Sequence, residues 1–129
     1  MQEFPSTAPP SPRRTSAQLQ GQRAESQALV YLQAQGLILI AGNVRYRCGE
    51  LDLIMQDQHT VVFVEVRWRR PSRFVSAAAS VDLRKQQRLI RAARYWLLAN
   101  AGSLPPPCRF DVVASGPGHL HWIRNAFQA

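Results

Sequence analysis

Eight acids serve a chain of 129 residues, and their placement is the most informative feature of the sequence. Along Val61-Val62-Phe63-Val64-Glu65-Val66-Arg67-Trp68, alternate residues of an extended chain face opposite sides. Glu65 and Arg67 therefore share a face with Val61 and Phe63, while Val62, Val64, Val66 and Trp68 fill the other. A carboxylate inside so apolar a run is costly unless it is paired or bound to a metal. In Glu50-Leu51-Asp52-Leu53-Ile54-Met55, Glu50 and Asp52 share one face and Leu51, Leu53 and Met55 the other.

Asp57-Gln58-His59 is short enough to fold these runs into a hairpin. A two-residue turn centred between Gln58 and His59 sets residue 52 opposite residue 65, and residue 50 opposite residue 67. Directly opposed side chains on one face have Cβ atoms about 4.5–5.5 Å apart. Asp52 and Glu65 then repel, and a divalent cation between them removes the repulsion and takes both as ligands. The alternative is a structural ion-pair cluster of Asp52, Glu65 and Arg67, since such networks also gather acids. A third acid, Glu25, falls in line with Ala28, Leu29 and Leu32 at helical spacing. That puts it on an apolar, sheet-facing stripe, as a further candidate ligand.

The elements that must position these residues read as follows. A helix spans about Ser16 to Gln35, with Ser16 as its cap and Gly36 as its stop. Leu37–Ile40 and Val44–Arg47 form a strand bent near Ala41-Gly42-Asn43. Glu50–Gln56 and Thr60–Arg69 are the second and third strands, the latter rich in valine and phenylalanine. Arg70-Pro71-Ser72 breaks the pattern, and Asp82–Asn100 is a long amphipathic helix. Gly102 and Pro105-Pro106-Pro107 end it. Arg109–Ser115 is a fourth strand, Gly116-Pro117-Gly118 a turn and His119–Ile123 a fifth strand. The order α-β-β-β-α-β-β predicts an α/β domain, a central mixed β-sheet flanked by helices. Residues 1–16, rich in proline and serine, are expected to be a disordered tail, and 17–129 a single domain.

Sixteen Lys+Arg against eight Asp+Glu give a net charge of +8. The tail's Arg13, Arg14 and Glu3 carry +1 of that, so +7 belongs to the folded part. Strong basicity speaks about partners, with nucleic acid first and an anionic membrane surface second. No apolar run approaches the ~18 residues of a membrane helix. The start, MQEFPSTAPPSPRR, has no apolar stretch of the secretory kind, so a cytoplasmic protein is expected. Cys48 and Cys108, far apart and without CxxC spacing, read as thiols of a reducing compartment. On the second helix, Arg84, Arg88 and Arg91 lie within an arc of about 60°. With Lys85 and the neighbouring Arg69, Arg70 and Arg73, they form a candidate phosphate-binding surface or, alternatively, a solvated helix face. No acid lies between residues 83 and 110. Nothing suggests base-specific readout. His119 and His121 share a strand face without a third ligand at fixed spacing. Trp68, Trp96 and Trp122 read as core or interface residues. Tyr46, between Arg45 and Arg47, reads as a strand-edge aromatic within reach of nucleic acid.

The segments Gly21…Glu25, Asn43, Gly49-Glu50-Leu51-Asp52-Leu53-Ile54, Val62-Phe63-Val64-Glu65-Val66-Arg67 and Arg109-Phe110-Asp111-Val112-Val113 together resemble the YraN-like family of uncharacterised small bacterial proteins. The resemblance covers about Gln20 to Phe127. That family in turn resembles the restriction-endonuclease-like superfamily, which includes archaeal Holliday-junction resolvases. The superfamily's motif is an Asp followed at a distance by Glu-x-Lys. Carried over, Asp52 is the motif aspartate, Glu65 the motif glutamate and Glu25 the helix glutamate, and the three would hold Mg²⁺ or Mn²⁺. Leu51 stands where the motif has proline, and Arg67 where it has lysine. Arginine stays protonated and cannot act as a general base. It can still neutralise phosphate charge. Lys85, the sole lysine, is a candidate spatial substitute.

The resemblance implies a Mg²⁺-dependent nuclease, or a nuclease-derived DNA-processing protein, acting on structured or duplex DNA by metal-activated water attack on a phosphodiester. Catalysis would fall to Asp52, Glu65 and Arg67, and DNA binding to Arg69, Arg70, Arg84, Lys85, Arg88 and Arg91. Junction resolution would also need a homodimer, since two strands are cut symmetrically. The alternative is a non-catalytic nucleic-acid-binding module of the same fold. A third reading is a protein whose basic face meets an acidic protein.

Overall fold

The computed structural model describes residues 15–68 and 81–129. Helix α1 (Ser16–Ala34) precedes strands β1 (Ile38–Tyr46), β2 (Gly49–Asp57) and β3 (Thr60–Trp68). Helix α2 (Leu83–Asn100) then leads into β4 (Cys108–Gly116) and β5 (His119–Phe127). The order is the α-β-β-β-α-β-β expected from the sequence. The strands form one sheet in the order β1-β2-β3-β4-β5, antiparallel except for the parallel β3–β4 pair.

Each helix covers one face of the sheet. On the α2 side, Leu51, Ile54, Phe63, Phe110 and Val112 pack with Leu89, Ala92, Ala93 and Trp96. On the α1 side, Leu53, Met55, Val62, Val64 and Val113 pack with Ala28 and Leu32. The valine-rich β3 is buried on both faces because it lies at the centre of the sheet.

Several boundaries move by a residue or more. Thr15, not Ser16, caps α1: its hydroxyl accepts from the Gln18 amide at 3.1 Å, and the Gln18 side chain accepts from the Thr15 amide at 2.9 Å. This reciprocal cap draws Thr15 and Ser16 into the domain rather than the tail. Residues 1–14 lie outside the described residues. The expected bend in β1 is real: a bulge falls between Leu39 and Ala41, and Asn43 has φ of 52°. It is taken up within one continuous strand. β5 runs four residues further than expected, because Phe127 stacks on Phe110 and keeps the strand paired. Among the described residues, no helix is long and apolar enough to cross a membrane.

Candidate functional site

The β2–β3 hairpin has the register its turn predicts. Asp57 pairs with Thr60 and Leu53 with Val64, with Gln58 taking φ of 56° in the turn. The backbone ladder ends at Leu53–Val64, one step short of Asp52 and Glu65. There an Asp52 carboxylate oxygen accepts the Val66 amide at 2.9 Å, doing what a strand carbonyl would have done. The local alternation of β2 changes at the same point. Leu51 packs on the α2 side, whereas Leu53 and Met55 pack on the α1 side. This corrects the expectation that all three share a face, and the irregularity sits at Asp52.

Glu65 is 4% exposed and projects, like Phe63, to the α2 side. One of its oxygens, Oε1, faces Lys85 Nζ at 3.4 Å and an Arg67 guanidinium nitrogen at 4.0 Å. The other, Oε2, is buried without a hydrogen-bond donor. Lys85 reaches this position because Asp82 caps α2, accepting the Lys85 amide at 2.8 Å and fixing the first turn. The sole lysine of the chain thus stands beside Glu65.

Burial pushes the Glu65 carboxyl up to about 8, and the neighbouring Asp52 charge raises it further toward that value. Lys85 and Arg67 oppose this only in part. Asp52 is also raised, by burial first, against the pull of the Val66 amide. Two ionised carboxylates are acceptors only, so neither can serve the other. The pair is satisfied only when a proton or a cation lies between them. Burial and mutual repulsion raise both carboxyls, so the two acids share a proton more readily than free carboxylates would.

Glu25, half-buried on α1, is raised by burial and by Asp52, and accepts a hydrogen bond from Asn43. It stands within the electrostatic reach of the pair but is tied to β1. Among the described residues, no group of three or more His, Cys, Asp or Glu side chains is gathered as a ready metal cage. The two-carboxylate pair nonetheless fits a hard divalent cation, because the orphaned Glu65 Oε2 lacks a positive partner and its ligand type is right. Asn43, singled out in the sequence by its place at the bend of β1 and by the family resemblance, was given no role there; its contact with Glu25 supplies one.

Other expected site residues fall apart from the pair. Glu50 is bridged by Arg45, its cross-strand neighbour, at 3.5 Å. Cross-strand register decides this, since Glu50 lies beyond the β2–β3 ladder but within the β1–β2 ladder. Arg84, Arg88 and Arg91 are exposed along α2, with Lys85 at its head. Arg69 and Arg70 lie outside the described residues. His119 and His121 are exposed on β5. Asp111 is a structural partner of arginine, as its position suggests. It accepts from Arg109, Trp122 and the Asn125 amide, and Arg109 also bridges to Asp57 at 3.0 Å.

Residues 24–114 match the family described as "Uncharacterised protein family UPF0102". The chain is 52% identical to a UPF0102 protein of Janthinobacterium sp. (strain Marseille) over 116 residues, 90% of this chain and 93% of that one. It is 53% identical to one of Xanthomonas campestris pv. campestris (strain B100) over 113 residues, covering 86% and 93% of the two chains. A UPF0102 protein of Klebsiella pneumoniae subsp. pneumoniae is 49% identical over 122 residues, 92% and 95% of the two.

Proposed function

This chain belongs to the uncharacterised protein family UPF0102, and we propose that it is a cytoplasmic, Mg²⁺- or Mn²⁺-dependent nuclease of the restriction-endonuclease-like kind, acting on structured DNA. The observation that carries the reading is the buried Asp52–Glu65 pair, with Glu65 Oε2 unpartnered and two cationic side chains on Oε1.

Asp52 and Glu65 would hold the cation, with Glu25 behind them. The cation would supply a more acidic water and neutralise phosphate charge. The side chains do the rest. Glu65 would give up the proton it shares with Asp52 if the pair took a cation. The Val66 amide keeps the Asp52 carboxylate aimed into the gap where the two strands end their pairing. Arg67 and Lys85 place positive charge where a scissile phosphate would gather negative charge. Arg67, always protonated, stabilises charge and takes no proton. Arg84, Arg88 and Arg91 hold the phosphates of the flanking strand.

One observation favours a second reading, a module of the same fold that binds nucleic acid without cutting it. Glu25 is engaged by Asn43, so the pair has no third acid gathered to it among the described residues. Calorimetry with Mn²⁺ and Mg²⁺ separates the two. Binding by the wild type that disappears in Asp52→Ala and in Glu65→Ala, together with cleavage of a panel of branched and nicked DNAs lost in the same variants, is the expected result. A wild type that takes no metal, with or without DNA, overturns the nuclease reading.

A further inference from the structure

The basic stripe of α2 does not end in arginine. Positions 84, 88, 91 and 95 recur within the same arc of about 60°, so Arg84, Arg88, Arg91 and Tyr95 stand in one line along the helix. All four are exposed, Tyr95 by 57%. The Tyr95 ring stacks on Tyr46 of β1, with ring centroids 5.7 Å apart and planes 28° from parallel. Tyr46 is fixed from below, since it packs against the α2-side core. The β1–β2 turn that follows it, with exposed Arg47, lies against α2. A Cβ placed on Gly49 would sit 2.9 Å from the Arg88 carbonyl oxygen. The tyrosine pair therefore has a rigid seat, an open ring, and arginines on both elements that carry it.

We propose that this pair is a stacking platform for an unpaired base, and that the protein takes single-stranded or frayed nucleic acid along α2 toward the Asp52–Glu65 pair. From Lys85, which touches Glu65, to Tyr95 is ten residues of helix, about 15 Å at 1.5 Å per residue. That is about four nucleotides at the 3.4 Å spacing of a stacked strand, and fewer for an extended one. A base on the tyrosines would thus leave its strand running past the arginine stripe and onto the carboxylates. An intact duplex cannot offer a ring to Tyr95, because its bases are stacked on each other. Every base has a π face, so the platform is tolerant of sequence, in keeping with the lack of any base-reading pattern. The proposal rests on the nucleic-acid half of the function proposed above and not on cleavage.

The test is binding in EDTA at low salt, so that metal and cutting play no part. Fluorescein-labelled oligothymidylate and a labelled duplex of equal length are titrated with wild type, Tyr95→Ala and Tyr95→Phe. Tyr95→Ala should weaken single-strand binding about tenfold and duplex binding less than twofold. Tyr95→Phe, which keeps the ring, should bind both as the wild type does, and thermal melting of each variant checks that the fold is intact. Equal losses on the two probes, an unchanged single-strand affinity in Tyr95→Ala, or a wild type that binds neither probe overturns the platform. Metal binding by the Asp52–Glu65 pair is read separately, so failure of the platform and failure of the nuclease reading are distinct results.

Discussion

Asp111 and Glu65 lie on adjacent strands of one sheet, and both are buried, yet their surroundings treat them in opposite ways. Asp111 faces the α1 side and is fully enclosed, with each of its oxygens receiving donors from Arg109 and from Trp122 or the Asn125 amide. Its charge is compensated in place, and a buried charge so paired stabilises only in relation to losing a partner. Glu65 faces the α2 side, with cations at one oxygen, no fixed donor at the other and Asp52 close enough to share a proton with it. The first arrangement is complete without any visitor. The second is complete only when a proton or a cation lies between the two acids. This difference separates an acid whose partners are all fixed from one whose partner is exchangeable.

Removing Asp111 should show the largest effect. Asp111→Ala leaves the Arg109 guanidinium and the Trp122 ring nitrogen without their acceptor and should cost about 3–5 kcal/mol in urea unfolding. Glu65→Gln should go the other way. At pH 8 it removes an unsatisfied buried charge and should stabilise the protein by about 1–3 kcal/mol. A loss of stability in Glu65→Gln would mean that the site is already balanced, like that of Asp111, and would erase the comparison.

Acidity sharpens the same contrast. The unfolded chain releases the Glu65 proton near 4.5 and the folded chain near 8. Between those values the native state binds more protons, so its stability falls as pH rises. Melting followed from pH 5 to pH 8.5 should show that fall in the wild type, and Glu65→Gln should flatten it. Mn²⁺ should reverse the fall in the wild type by binding only the folded state, with about one proton released per ion at pH 7. Calorimetry in buffers of different ionisation enthalpy reads that proton. The smallest effect belongs to the exposed Arg45–Glu50 pair. Arg45→Ala should change stability by about 0.5 kcal/mol or less, and should leave metal binding untouched.

The element order was legible in the sequence because strand and helix periods differ and the breakers fall between them. The Asp52–Glu65 apposition was legible too, since a two-residue turn leaves one register for a hairpin whose Val62 and Val64 must both be buried. The turnover at Leu51 was not. Strict alternation gives no warning that a carboxylate will replace a carbonyl at the end of a ladder. The Arg45–Glu50 pair was not legible, because Glu50 could be paired across either neighbour and only the sheet shows the β1–β2 register. Lys85 was singled out by its rarity and its place at a helix start. Its closeness to Glu65 depends on how the chain returns from β3 to α2, which no local pattern records. Tyr95 carried a usable signal, its helical spacing from Arg84, Arg88 and Arg91, but its stacking partner comes from β1, far away in sequence.

The origins of the site residues also bear on the order in which the molecule assembles. Asp52 and Glu65 come from one hairpin and meet as soon as that hairpin closes, which takes microseconds in isolated hairpins. Lys85 arrives only when α2 docks and β4 joins β3 in parallel, a long-range step that closes a much larger loop. During folding the two acids therefore confront each other before their cation is present. The hairpin that builds the site carries its own brake. Mild acid or a divalent ion should release that brake, speeding refolding rather than only slowing unfolding.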